Sequence, residues 1–265
     1  MFIREYYPYH GGFTMSIAQN LIQVRQNIDL AIKRTTVPRA GNEVKLIAVT
    51  KNQGIDEMRA AIDNGVTAIG ENRVQEVLLK LPGLKRTVEC HLIGHLQTNK
   101  VRQIIPYADL IHSVDSLHLA GEIDRVAGKL GKRQDILIQV NVAGEASKFG
   151  IAPEDTAALA RKVSALEHVR LCGLMTIAPH EEEPELLRPV FRRLYHLFME
   201  LLTMKLDHTD IKWLSMGMTG DYTIAVEEGA NMVRIGTGIF GARQYEQGGK
   251  SNEVYGKGMG QPGFV

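Results

Sequence analysis

Cysteine is scarce in this chain: Cys90 and Cys172 are the only two among 265 residues, each inside an apolar segment and neither in a CxxC pattern. That argues against a disulfide-stapled secreted fold or a sulfur-rich metal site, makes both thiols expected core residues, and makes a reducing cytoplasm the expected compartment. Charge of one sign is also lacking, because 31 Lys and Arg face 30 Asp and Glu for a formal net charge of +1. Nucleic acid and anionic membrane surfaces demand a clustered basic excess, so neither is an expected partner. Long apolar runs are missing as well. Residues 136–142 are interrupted by Gln139 and Asn141, and a bilayer span needs roughly 20 such residues. What remains is 44% hydrophobic and 23% charged, the composition of an ordinary globular chain rather than a disordered one.

Residues 1–14 are rich in Tyr, His and Gly and hold no apolar core followed by a cleavage site, so they do not read as a secretory signal. Residues 1–15 are read as an extension, 16–243 as one domain and 244–265 as a Gly-rich tail expected to stay mobile. Ser16 is placed to cap a helix with Ile17, Leu21, Val24, Ile28 and Ile32 on one face. Beyond it, short β-branched runs alternate with amphipathic segments. Strands are expected at 45–50, 67–70, 89–93, 110–112, 135–141, 169–174, 211–215 and 232–235. Helices are expected at 56–64, 73–80, 99–105, 117–130, 154–166, 185–203 and 222–228. Parallel strands need crossover helices, so this rhythm favours an α/β fold, a closed (β/α)8 TIM barrel in a single domain, with a doubly wound open sheet as the alternative. Trp213 and the Leu, Phe and Tyr stripe over 187–202 are expected to pack an outer helix onto the barrel.

A barrel carries its functional groups just after the strands, at the C-terminal mouth. In strand order that places Lys51; Glu71 and Asn72; Gly94 and His95; Ser113 and Asp115; Asn141; Met175 and Thr176; Ser215; and Arg234, Gly236 and Thr237 at or near the mouth. Polar loop residues also face water for trivial reasons, so the individual cases decide. Lys51 follows Leu46-Ile47-Ala48-Val49-Thr50 with no turn residue between. A lysine desolvated in such a place offers a neutral amine able to form a Schiff base with a carbonyl compound, and the bland reading is a solvated lysine at a strand end. The last two loops, Ser215-Met216-Gly217-Met218-Thr219-Gly220-Asp221 and Gly236-Thr237-Gly238-Ile239-Phe240-Gly241, bring glycines and hydroxyls to where barrels often hold phosphate. The second loop matches G-x-G-x-x-G literally, but it lies in the final unit, which excludes the dinucleotide reading.

Arg234 lies inside the final strand and needs an acceptor there, either a carboxylate or a heteroaromatic nitrogen. If the acceptor is the ring nitrogen of pyridoxal phosphate, an always-protonated arginine leaves that nitrogen unprotonated and weakens the cofactor as an electron sink. Lysine for an aldehyde, arginine for a ring and a late-barrel phosphate cradle then define one ligand. Asn72 either packs beside the ring or caps a helix. His91 and His95 straddle a strand end without a third ligand, so no metal is assigned.

Several strings in one order resemble the family of pyridoxal phosphate homeostasis proteins (YggS/PROSC). They are Ala48-Val49-Thr50-Lys51, Gly70-Glu71-Asn72-Arg73-Val74-Gln75-Glu76, His91-Leu92-Ile93-Gly94-His95-Leu96-Gln97-Thr98-Asn99-Lys100, Gly173-Leu174-Met175-Thr176-Ile177-Ala178-Pro179, Leu214-Ser215-Met216-Gly217-Met218, and 232–243. The match covers nearly all of 16–243. The resemblance implies a fold-type III barrel like the alanine racemase N-terminal domain, with Lys51 carrying pyridoxal 5'-phosphate as a covalent aldimine and Arg234 facing the pyridine nitrogen. It further implies that Ser215, Gly236 and Thr237 hold the phosphate and that Asn72 and Met175 line the ring. In place of the family's usual serine and acidic or His residue after Ser-Met-Gly-Met stand Thr219 and Gly220, and Thr219 keeps the hydroxyl. The implied role is a non-catalytic carrier in vitamin B6 and amino-acid or keto-acid balance, with PLP-requiring apoenzymes as recipients; without the racemase's second domain the obligatory dimer interface is missing too, so a monomer or weak dimer is expected.

Two rival functions are weighed against this one. An amino-acid racemase needs a second base opposite Lys51; in alanine racemase relatives that base is a tyrosine from a second domain. The barrel leaves too short a tail for such a domain, and Tyr222, Tyr245 and Tyr255 sit in no defensible pattern. A cofactor-free barrel enzyme for phosphorylated sugars leaves Arg234 unexplained.

Overall fold

The computed structural model describes residues 15–241 apart from 40, 42, 85–87 and 146. The extension expected over 1–15, save Met15, and the tail expected over 244–265 lie outside the described residues. Helix α1 (Ile17–Arg34) opens with a reciprocal cap: Gln19 N–H donates to Ser16 Oγ at 3.2 Å, and Ser16 N–H donates to Gln19 Oε1 at 2.9 Å. Its Leu21, Val24, Ile28 and Ala31 are buried.

Eight parallel strands follow and close in sequence order: β1 (Lys45–Val49), β2 (Ala68–Glu71), β3 (Glu89–Leu92), β4 (Leu110–Val114), β5 (Gln134–Gln139), β6 (Val169–Met175), β7 (Thr209–Ser215) and β8 (Met232–Ile235). Closure runs through β1 and β8, with Ile47 opposite Arg234 and Ala48 opposite Ile235, which excludes the open sheet. Between strands lie α2 (Ile55–Asp63), α3 (Val74–Lys80), α4 (Val101–Ile104), α5 (Leu117–Lys129), α6 (Thr156–Ser164), α7 (Arg188–Thr203) and α8 (Tyr222–Glu227), and α9 (Thr237–Phe240) follows β8.

Side chains alternate across each strand, and the barrel accordingly has two cores. Ala48, Ile69, Cys90 and Leu92 join the helices in the larger one, with Phe191, Leu194 and Phe198 of α7. Ile47, Ala68, Leu110, Leu137, Cys172, Met175 and Met232 form a separate inner cluster. Trp213 packs on this inner cluster, so the expectation that it wedges an outer helix is corrected. Parity along β7 explains it, because Trp213 shares a face with Ser215. Both cysteines are core residues, and burial pushes each thiol up to about 12.

Three residues placed beyond strands belong to them. β4 continues to Val114, which buries Ser113 within the strand, Glu71 is the last residue of β2, and Met175 is the last residue of β6.

Candidate functional site

Arg234 stands on β8, and Lys51 lies two residues beyond the end of the adjacent β1. Arg234 is opposite Ile47, and Lys51 lies four residues beyond Ile47 with the same parity. Strand β1 ends at Val49, so Lys51 has left the wall that pairs with the Arg234 strand. Lys51 is exposed, contrary to the desolvated lysine expected from its strand-end position, because it sits within a turn rather than in the wall: Gln53 N–H donates to the Thr50 carbonyl at 3.0 Å, and Asn52 takes a left-handed φ of 61°.

Arg234 is 3% exposed, and burial pushes its guanidinium down to about 10. Its Nη1 donates to Ser215 Oγ at 2.6 Å and its Nη2 to the Thr176 carbonyl at 2.7 Å. Both partners are neutral, and Asp221 favours the charge only through space. A guanidinium has more N–H donors than these two contacts use.

Behind Arg234 a hydrogen-bonded file descends through the barrel. Ser215 Oγ meets His112 Nδ1 at 3.1 Å, His112 Nε2 meets His91 Nδ1 at 2.9 Å, and His91 Nε2 meets Glu89 Oε2 at 3.2 Å. The His91 contact, together with Lys45, holds the Glu89 carboxyl down at about 2. Burial lowers both imidazoles, so each is neutral with a single ring proton. An ionised Glu89 only accepts, so His91 carries its proton on Nε2, His112 donates from Nε2, and the Ser215 hydroxyl donates to His112. Ser215 is thus engaged twice, accepting from Arg234 and donating to His112. Sequence reasoning missed this file; its signal is a polar residue in mid-strand at the inward parity, as in Leu110-Ile111-His112.

The other expected residues divide into three groups. At the loop end, Gly238 N–H donates to Thr219 Oγ1 at 3.2 Å, which ties the β7 and β8 loops together beside Gly236 and Thr237. Asp221 Oδ1 accepts from Met218 N–H and closes the first loop, although burial raises its carboxyl. Asn72, half-buried, is not the α3 cap, a place taken by Arg73; Gly94 lies so close to the Asn72 backbone that a Cβ there would overlap its carbonyl. Met175 is fully buried in the inner cluster. Glu71 does not face the mouth, since its carboxylate binds Thr50 and Lys80 in the wall. His95 stacks on Phe149 with ring centroids 3.8 Å apart, and Asp115 lies 4.0 Å from its Nδ1. No cluster of metal-ligating side chains occurs among the described residues.

This donor set fits a phosphorylated pyridine aldehyde: an amine just past a strand end, a buried guanidinium with N–H donors to spare and no ion-pair partner among the described residues, and two hydroxyl-bearing loops on the neighbouring strands. Residues 19–244 match the family of alanine racemase N-terminal domains. The pyridoxal phosphate homeostasis protein of Aquifex aeolicus is 42% identical over 87% of this chain and all of that protein, and its namesake in Escherichia coli is 37% identical over 87% and 98%. A crystal structure of a protein from Bifidobacterium adolescentis superposes with a TM-score of 0.80 at 38% identity, covering 84% of this chain and 94% of that one. PipY of Synechococcus elongatus, solved with PLP bound, gives 0.73 at 36% identity, over 85% and 100%. A Clostridium difficile alanine racemase, at 17% identity and 0.62, shares the fold over 61% of its own length. By sequence and by fold, this chain belongs to the family of pyridoxal phosphate homeostasis proteins, built on the alanine racemase N-terminal domain.

Proposed function

We propose that the chain holds pyridoxal 5'-phosphate through a Schiff-base linkage to Lys51 and serves vitamin B6 and amino-acid or keto-acid homeostasis without catalytic turnover. Arg234 carries this reading: a buried arginine without an ion-pair partner among the described residues, on the strand next to the one that leads into Lys51, suits a neutral ring nitrogen. When bound, the cofactor supplies an aldehyde and an electron-accepting ring. The chain supplies the rest. Lys51 contributes the amine, and Arg234 donates toward the ring nitrogen while keeping it unprotonated. Thr219, Gly236 and Thr237 hold the phosphate, and Asn72 and Met175 flank the ring. Ser215, assigned to the phosphate by family resemblance, acts here chiefly as the anchor of Arg234. The recipients are PLP-requiring apoenzymes in the cytoplasm, and the assembly is a monomer or weak dimer.

The racemase reading finds no second base among the described tyrosines. The Tyr222 hydroxyl accepts from Asn27 of α1 at 2.9 Å, Tyr195 donates to the Pro38 carbonyl, and Tyr107 precedes β4 at the opposite end of the barrel. Tyr245 and Tyr255 lie outside the described residues.

The test is borohydride reduction of the purified, cofactor-loaded protein followed by peptide mass spectrometry. The expected result is a yellow protein with the adduct on Lys51, lost in Lys51→Ala. A protein that stays colourless with added cofactor, or an adduct on another side chain, rejects the reading. Exchange of the α-proton of L-amino acids at a kcat near about 1 per second or faster would favour a racemase.

A further inference from the structure

Lys51 is exposed and carries a flexible four-carbon stem, so its direction depends on the short turn that bears it. That turn is gripped from behind. Lys80, the last residue of α3, is 8% exposed and places its ammonium against three acceptors: the Thr50 carbonyl at 2.9 Å, Glu71 Oε1 at 3.0 Å and Glu76 Oε2 at 2.6 Å. An ammonium has three protons, and each finds one of these acceptors. The two carboxylates complete the grip. Thr50 Oγ1 donates to Glu71 Oε1 at 2.7 Å, and Asn52 N–H donates to Glu76 Oε2 at 2.9 Å. Both neighbours of Lys51 in the chain are therefore fastened to a single ionic cluster contributed by β2 and α3.

Stability alone is a poor account of this cluster. Desolvating a lysine and a glutamate in a barrel wall gains little over apolar packing of the same volume. Glu71 Oε2 is moreover buried with no hydrogen-bond partner among the described residues, which a cluster serving only stability would avoid. The backbone it holds includes Asn52 in the left-handed conformation, which asparagine tolerates better than other non-glycine residues, and the Asn52 N–H to Glu76 bond fixes that turn in place. What the arrangement secures is the course of the chain: it fixes the turn that follows β1, and with it the backbone from which Lys51 springs.

We propose that Lys80, with Glu71 and Glu76, is a positioning group for Lys51, holding the Thr50–Asn52 turn so that the Lys51 amine meets the aldehyde of the bound cofactor. The inference rests on the proposed function and adds to it residues that touch neither the cofactor nor Lys51's own side chain. The test compares the wild type with Lys80→Met, which keeps the stem and removes the ammonium, and with Glu76→Ala, which frees the Asn52 amide at a half-buried position. Three measurements are taken on the full chain: hydrogen exchange at Asn52 without cofactor, the rate at which pyridoxal 5'-phosphate develops the visible absorbance of the linkage, and the distribution of borohydride-fixed label over the lysines.

In both variants Asn52 is expected to exchange faster, the absorbance to develop at least about tenfold more slowly, as displacing a reacting group by about 1 Å does, and label to spread from Lys51 to other lysines. A merely structural cluster would lower the melting temperature and leave rate and label distribution unchanged, and that outcome overturns the proposal. Should Lys80→Met fail to fold, Glu76→Ala carries the same expectation. Wild-type protein that takes no label on Lys51 rejects the cofactor reading itself, a result independent of either variant.

Discussion

Arg234 shows at single-residue scale how a binding site opposes stability. A guanidinium 3% exposed and pushed down to about 10 by burial is costly to hold, and its direct partners are a hydroxyl and a carbonyl rather than a carboxylate. The vacant donors matter only if a ligand accepts from them. Arg234→Gln is therefore expected to weaken pyridoxal 5'-phosphate binding by about tenfold to a hundredfold, the loss of one charge-assisted hydrogen bond. Arg234→Lys should fail to restore it, because an ammonium cannot reach Ser215, Thr176 and a ring nitrogen in one plane. Equilibrium titration of the visible absorbance checks both, and a lysine variant that binds like the wild type would refute the planar-donor argument. Arg234 and Lys51 were legible in the sequence, one as a charge inside an apolar strand and the other as a lysine ending one. His112 and the double engagement of Ser215 were not, because they depend on which residues of β3, β4 and β7 face each other across the barrel, and no local pattern states that register.

At the scale of elements, all eight strands were legible because a strand buried on both faces reads as a short β-branched run between amphipathic helices. Their ends and irregularities were less so. The expected helix at 99–105 is helical only over Val101–Ile104, preceded by a 3-10 turn. β6 illustrates the reason. Its register against β7 shifts between Leu171 and Gly173, and Gly173 takes φ 146° at a place where a Cβ would overlap the Trp213 backbone carbonyl. A glycine in a strand signals a bulge or a close approach, but the sequence does not say against what. Gly173→Ala would put a methyl into the Trp213 carbonyl at a φ that side chains rarely adopt, so it should destabilise the protein by about 3 kcal/mol or more. Urea unfolding measures this. A loss under about 1 kcal/mol would mean that β6 and β7 can separate without consequence, which the inward seat of Trp213 argues against.

Across the whole molecule, the file from Arg234 through Ser215, His112 and His91 to Glu89 and Lys45 joins the C-terminal mouth to the opposite rim along the barrel interior. The file replaces apolar filling with neutral imidazoles, and this sets the response of the fold to acid. His91 faces Glu89, Lys45 and Asp109, and His112 faces His91, Arg234 and Lys45; burial is the largest influence on both and lowers them. The unfolded chain takes up protons on these histidines below about 6.5 while the folded chain resists, so stability falls as pH drops through that value. Each histidine contributes a slope of at most about 1.4 kcal/mol per pH unit. Glu89, held down at about 2, keeps its contribution through this window and loses it only between its ordinary range and that value. Glu71 and Asp221, raised by burial, act in the opposite sense, so the informative quantity is the difference between wild type and a variant measured at the same pH. His112→Asn should be less stable than the wild type at pH about 8 yet lose stability less steeply on acidification, by up to about 1.4 kcal/mol per pH unit, because one of two suppressed protonations is gone. Urea unfolding at intervals from neutral to mildly acidic pH supplies the comparison. Parallel curves for the two proteins would place the acid response elsewhere in the barrel and leave the histidine file without its assigned tautomers.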